Sequence, residues 1–165
     1  MSNKVFIIYH NEDILNDVIN TLYEMTSDLN VSNKFTTEKD NVVSRFPYSY
    51  YYINQLEINK ALKNNSLLYV ITNDYTSTGI TIDDFYNYDI FCMHYKEYNA
   101  IPDSIFNKYN ILTVWLDSKQ SSYDSLLLSE IPFIEKRLET VNYKYYFNDK
   151  SSDIVDDIIT FVQEN

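Results

Sequence analysis

Two polar segments gather the side chains of this chain that could do chemistry. The first, Tyr9-His10-Asn11-Glu12-Asp13, offers two aromatic rings, an amide and two carboxylates directly after an apolar run. The second extends from Asn73-Asp74-Tyr75 through Ser77, Thr78 and Gly79 to the paired carboxylates Asp83 and Asp84. A carboxylate held beside a ribose can stabilise an oxocarbenium-like charge, and neighbouring rings can stack on a base. Turn formation and helix capping account for most of the same residue types, because Asn, Asp, Ser and Thr hydrogen-bond their own backbone. Asp83 and Asp84 equally suit the positive end of a helix dipole. Arg45-Phe46 adds a guanidinium beside a ring, suited to a diphosphate or a base. His94 has no visible sequence partner, and Cys92, between Phe91 and Met93, reads as core filler rather than nucleophile.

The elements that must position these residues alternate. Val5–Tyr9, Leu67–Ile71 and Ile111–Leu116 are short apolar, β-rich runs that read as buried strands. Ile14, Leu15, Val18, Ile19, Leu22, Met25 and Leu29 recur at helical spacing, with Asn11 or Asp13 placed to cap. Further helices are expected over Tyr50–Lys63 and Ile82–Tyr98, with Thr72–Gly79 as a polar loop and most of residues 31–52 irregular apart from a short strand at Lys34–Thr37. A helix interrupted or started at Pro132 is expected within Ser121–Glu139. A strand at Tyr143–Phe147 and a last helix capped by Ser151 or Ser152 complete the chain. Strand and helix alternate about five times, so the expected fold is a single α/β domain over residues 1–165: a three-layer α/β/α arrangement around a parallel sheet of about five strands, flavodoxin-like in connection order. In such sheets ligands sit beyond the carboxyl ends of the strands, which points to the loops after Tyr9 and Ile71.

Composition narrows the chemistry further. A net charge of −11, with Arg45 and Arg137 the only arginines, argues against a nucleic-acid surface. One cysteine and two histidines leave neither an intrachain disulfide nor a Cys/His zinc site, and no bound metal or cofactor is expected. No apolar run approaches the roughly 18 residues of a membrane span, and no signal segment opens the chain, so a cytoplasmic protein without a membrane partner is expected. Gly79 is the only glycine in 165 residues. Neither a Rossmann fingerprint nor a Walker A loop can exist without several, because backbone N–H groups must approach phosphate with no Cβ in the way.

Taken together, Lys4–Asp13 and Ile58–Phe85 resemble the Toll/interleukin receptor (TIR) and TIR-like family. Lys4–Tyr9 resembles its opening strand, with Ile8 where a serine is usual, and His10 directly after the aromatic is similar to the TIR-like subunit of the bacterial Thoeris antiphage system. Asn73-Asp74-Tyr75 resembles the family's Asn-Tyr loop; in that register Thr78 falls on a common serine, Ile80 on a common tryptophan, and Asp84 on the catalytic glutamate of its NAD-cleaving members. The resemblance implies an enzyme that cleaves the nicotinamide–ribose bond of NAD to an ADP-ribose-type product, a cyclic signal included, in antiviral defence. Asp84, or Asp83 in a shifted register, would be the catalytic carboxylate. Tyr9, His10, Asn11, Arg45, Phe46 and Tyr75 would form the nucleotide site, with no metal required. The alternative it implies is a catalytically silent interaction or nucleotide-binding module that self-associates or joins a second defence or signalling protein. Nucleoside deoxyribosyl transfer on a related sheet is a third reading.

Overall fold

The computed structural model describes residues 3–9, 12–39, 44–45, 48–117, 135–147 and 149–164. A parallel sheet is built from β1 (Lys4–Tyr9), β7 (Ile90–His94), β8 (Ile111–Asp117) and β9 (Asn142–Phe147), in the order β7-β1-β8-β9. Counted along the chain these four strands run 2-1-3-4, the first four places of the flavodoxin-like order. The α/β class is as expected from sequence; among the described residues the sheet has four strands where about five were expected.

Inserted between the first and second strands of that sheet is a mixed sheet, ordered β3-β4-β2-β6-β5. Its members are β2 (Lys34–Thr36), β3 (Ser44–Arg45), β4 (Tyr48–Tyr52), β5 (Leu67–Asn73) and β6 (Thr76–Thr81). The run expected as a central parallel strand, Leu67–Ile71, instead forms an antiparallel hairpin with β6, turning through Asp74 at φ 49°. Its second strand is Thr76–Thr81, where a loop was expected through Gly79. Gly79 lies there because a Cβ would come within 2.2 Å of the Tyr69 carbonyl oxygen and 2.5 Å of Phe35 Cζ.

Two expected helices are also corrected. The helix of 50–63 is strand β4 followed by α2 (Gln55–Lys63). Alternating tyrosines favour the strand, and a capping box starts the helix: the Asn54 side chain accepts from the Glu57 N–H at 2.9 Å while Glu57 accepts from the Asn54 N–H at 2.7 Å. The helix of 82–98 divides into α3 (Ile82–Asn87), strand β7 and α4 (Tyr95–Ala100). Ile90–Met93 are all buried, as befits a strand covered on both faces. The last helix, α6 (Ser151–Gln163), begins after Lys150 rather than after a serine cap. The expected helix of 121–139 lies largely outside the described residues, with helix at 135–138.

Strand β1 shows how the layers join. Val5, Ile7 and Tyr9 face α1 (Glu12–Met25) and α6, whose Leu15, Val18, Ile19, Leu22, Ile154, Val155 and Ile158 complete one core. Phe6 and Ile8 face the other way, into an aromatic core with Phe85, Phe91, Tyr98 and Phe106, the last from α5 (Asp103–Lys108). Leu68, Tyr69 and Ile80 of the mixed sheet enter this second core. No helix of the described residues is long and apolar enough to cross a membrane.

Candidate functional site

The pairing of the mixed sheet sorts its side chains onto two faces. One face carries the row Tyr50–Lys34–Ile80–Tyr69 and, one step along, the row Tyr52–Thr36–Thr78–Ile71, with a bulge in β5 adjusting the register of Tyr69. The opposite face carries Tyr51, Phe35, Gly79 and Val70. On the first face Lys34 is 1% exposed, Tyr50, Thr78 and Ile71 are half-buried, and Tyr52 is 37% exposed at the rim, where the Lys39 ammonium stands 5.3 Å from its ring centroid.

Lys34 reaches across to α4. Its ammonium donates to Glu97 Oε1 at 2.9 Å and Oε2 at 2.8 Å. The same carboxylate accepts from the Tyr69 hydroxyl at 3.2 Å and from the His94 backbone N–H at 2.7 Å. Four hydrogen bonds from three groups therefore occupy the roughly four acceptor positions of a carboxylate. Glu97 is the N3 residue of α4 and His94 its N-cap, so the contact that starts the helix also aims the carboxylate at β2 and β5. One side chain thus ties both sheets together, beside the carboxyl ends of β1 and β7, where Tyr9 pairs with His94 and their rings lie 6.4 Å apart.

The electrostatics follow from this closure. Burial pulls the Lys34 ammonium down, but Glu97 more than reverses this, with Tyr9 and Tyr50 adding, so its pKa stands above the ordinary lysine value. Burial, then Glu97, Tyr50 and Tyr9, hold the Tyr69 hydroxyl well above its usual range. Burial pushes the Cys92 thiol up to about 12, with Lys34 opposing and Glu97 assisting. A saturated carboxylate, an ammonium locked to it and a thiol that stays protonated have no role in proton transfer or nucleophilic attack near neutral pH.

Of the residues singled out from sequence, the structure describes the side chains of Tyr9, Tyr75, Asp83 and Asp84. Asp84 is half-buried in the first turn of α3 and accepts from the Tyr51 hydroxyl at 2.7 Å and the Thr81 hydroxyl at 2.8 Å, while its own N–H donates to Thr81 Oγ1 at 3.0 Å. Tyr51 lies on the face opposite Tyr50 and Lys34, and burial followed by the Asp84 contact raises its pKa. The far end of α3 is held at the start of β1, where Lys4 Nζ lies 2.5 Å from the Tyr88 carbonyl oxygen. Tyr9 ends that strand, five residues or about 16 Å further on. Asp83 is exposed, and Tyr75, 99% exposed at the hairpin tip, stacks on no ring among the described residues. His10, Asn11 and Phe46 lie outside the described residues, and Arg45 is placed only as backbone of β3.

Sequence reasoning missed Lys34, Glu97, Tyr69 and Tyr50. Two signals were present: a lysine inside a short strand needs a carboxylate when buried, and Glu97 three residues after His94 has capping-box spacing. Among the described residues no three His, Cys, Asp or Glu side chains converge as a metal site.

No protein-family model matches the chain, and no curated protein matches it. Among solved structures, the crystal structure of guanylate kinase from Anaplasma phagocytophilum is similar over 99% of this chain and 84% of that one, with a TM-score of 0.54 and 12% sequence identity. The TIR resemblance is corrected by these findings. Its register required a parallel strand at 67–72, and that segment belongs to an antiparallel hairpin. What the comparison supports is an α/β fold of the kind seen in a guanylate kinase.

Proposed function

We propose that this protein is a ligand-binding module of nucleotide or nucleoside class that carries out no phosphoryl transfer. The observation that carries the reading is the closed Lys34–Glu97 pair, whose four-fold saturated carboxylate sits on the face turned toward the carboxyl ends of β1 and β7. The likeness to a guanylate kinase supports the ligand class. Transfer from a nucleoside triphosphate needs a glycine-rich loop and a lysine free to meet the phosphates. Only His10 and Asn11 separate β1 from α1 here, and Glu12 and Asp13 in the first turn of α1 repel phosphate from that helix end. What the rim of that face offers is two rings and a hydroxyl, Tyr50, Tyr52 and Thr78, with Thr36 buried behind them.

Cleavage of NAD at Asp84 is the competing proposal, and it has less support because the carboxylate already serves Tyr51 and Thr81. One experiment separates the two. The full chain is titrated with guanosine, guanosine monophosphate and NAD by calorimetry, and the mixtures, with and without GTP, are analysed by chromatography. Binding without GDP formation or nicotinamide release is the expected outcome. Turnover of either kind would overturn the proposal, as would failure to bind any of the three.

A further inference from the structure

We infer that the cavity between α5 and residues 136–140 is a binding site for a small organic ligand carrying a single carboxylate. It uses none of the mixed-sheet residues and stands apart from the binding-module reading above. The cavity measures about 590 Å³, within the roughly 300–1,000 Å³ of small-molecule sites. Its walls offer hydrogen-bond donors that the fold does not use. Asn99 in the last turn of α4, Asn107 of α5 and Lys136 line it, and among the described residues none of these three side chains has a hydrogen-bond partner. Arg137 also lines the cavity and is held in place. It donates to the Tyr98 carbonyl at 2.6 Å, the Ile101 carbonyl at 2.9 Å and Asp103 at 2.8 Å, with its guanidinium 4.6 Å from the Phe106 ring centroid. Those contacts engage at most three of its five N–H groups. Asp103 offsets Arg137, which leaves Lys136 as the cation of the lining without an ion pair. The cavity therefore carries one net positive charge in a chain of −11. A carboxylate that meets Lys136 and the amides matches that single charge, whereas a phosphate dianion leaves one charge uncompensated against the field of the whole chain. Phe106, 7% exposed, gives the uncharged remainder of the ligand an apolar wall.

N-acetylphenylalanine and N-acetylphenylalaninamide share one body and differ by a single negative charge, so the pair isolates the carboxylate. Each is titrated into the labelled full chain while amide chemical shifts are followed, with phenyl phosphate in parallel. The acid is expected to shift Asn99, Asn107, Lys136 and Thr140 saturably and to bind at least about fivefold more tightly than the amide or the phosphate. Lys136→Gln is expected to weaken the acid by about fivefold or more and to leave the amide unchanged. Because Lys136 is exposed and bonded to nothing among the described residues, its variant should keep the wild-type circular dichroism and urea midpoint. Equal binding of acid and amide would overturn the inference, as would an acid affinity unchanged in Lys136→Gln. Tighter binding of phenyl phosphate, or no saturable shift at these four residues, would overturn it too. Guanosine is read at Tyr50, Tyr52 and Thr78, so the two readings fail on different residues.

Discussion

Glu97 meets Lys34, Tyr69 and the start of α4 at once. Leaving a buried partner uncompensated costs about 3–5 kcal/mol, so Glu97→Gln should lower the urea-unfolding free energy by an amount of that order, and a loss under about 1 kcal/mol would contradict the tie between the sheets. The tyrosines and the thiol set a second expectation at this scale. Tyr69, Tyr51, Cys92 and Lys34 all have folded pKa values above their ordinary ones. Such groups hold their protons longer in the folded chain, so their stabilisation is complete below the unfolded values and is lost as pH rises through the folded ones. Lys4, lowered by burial against the pull of Asp89, works in the opposite sense and offsets part of this. Urea midpoints should therefore fall from about pH 9 upward, where the unfolded thiol begins to ionise. Flat or rising stability between about pH 8 and pH 11 would count against the buried cluster.

The elements were legible in proportion to how far their burial is one-sided or continuous. Helices α1 and α6 bury one stripe each, and Val5–Tyr9 and Ile111–Leu116 are uninterrupted apolar runs, so their periodicity showed directly. The mixed sheet did not show, because the face that carries Ile80 and Tyr69 into the core also carries tyrosine, lysine and threonine, so its short strands lack an uninterrupted apolar run and read as loop. Ile90–Met93 was absorbed into a helix because the apolar residues on either side continued at plausible helical spacing; the His94–Glu97 capping box marks the break. Gly79 was noticed as the single glycine, but its reason is tertiary: the Phe35 ring crosses it. Gly79→Ala should destabilise the chain by about 1–3 kcal/mol or more through overpacking, measured by thermal or urea unfolding; a neutral substitution would mean the β2–β6 contact is looser than described. Asp84 belongs at this scale too. Asp84→Ala removes two hydrogen bonds to a carboxylate and should cost about 1.5–3 kcal/mol. It should have no bearing on nicotinamide release, which is expected to be absent in wild type, Asp84→Ala and Asp84→Glu alike; release that depended on Asp84 would restore it as a catalytic group.

At the scale of the molecule, a four-stranded parallel sheet and an inserted mixed sheet meet across one buried ion pair, in an α/β fold similar to that of a guanylate kinase. The candidate site could not be read from sequence because its members, Lys34, Tyr50, Tyr69 and Glu97, come from four separate elements and are brought together only by the mixed sheet's register. Their function in this account is recognition rather than turnover. The most direct test maps amide and methyl chemical shifts of the labelled full chain during a titration with guanosine. The account predicts saturable shifts at Thr36, Tyr50, Tyr52, Ile71 and Thr78, with Asp83, Asp84 and Tyr75 unmoved. Shifts centred on Asp84 and the far face of the mixed sheet, or no saturable shifts at all, would contradict it.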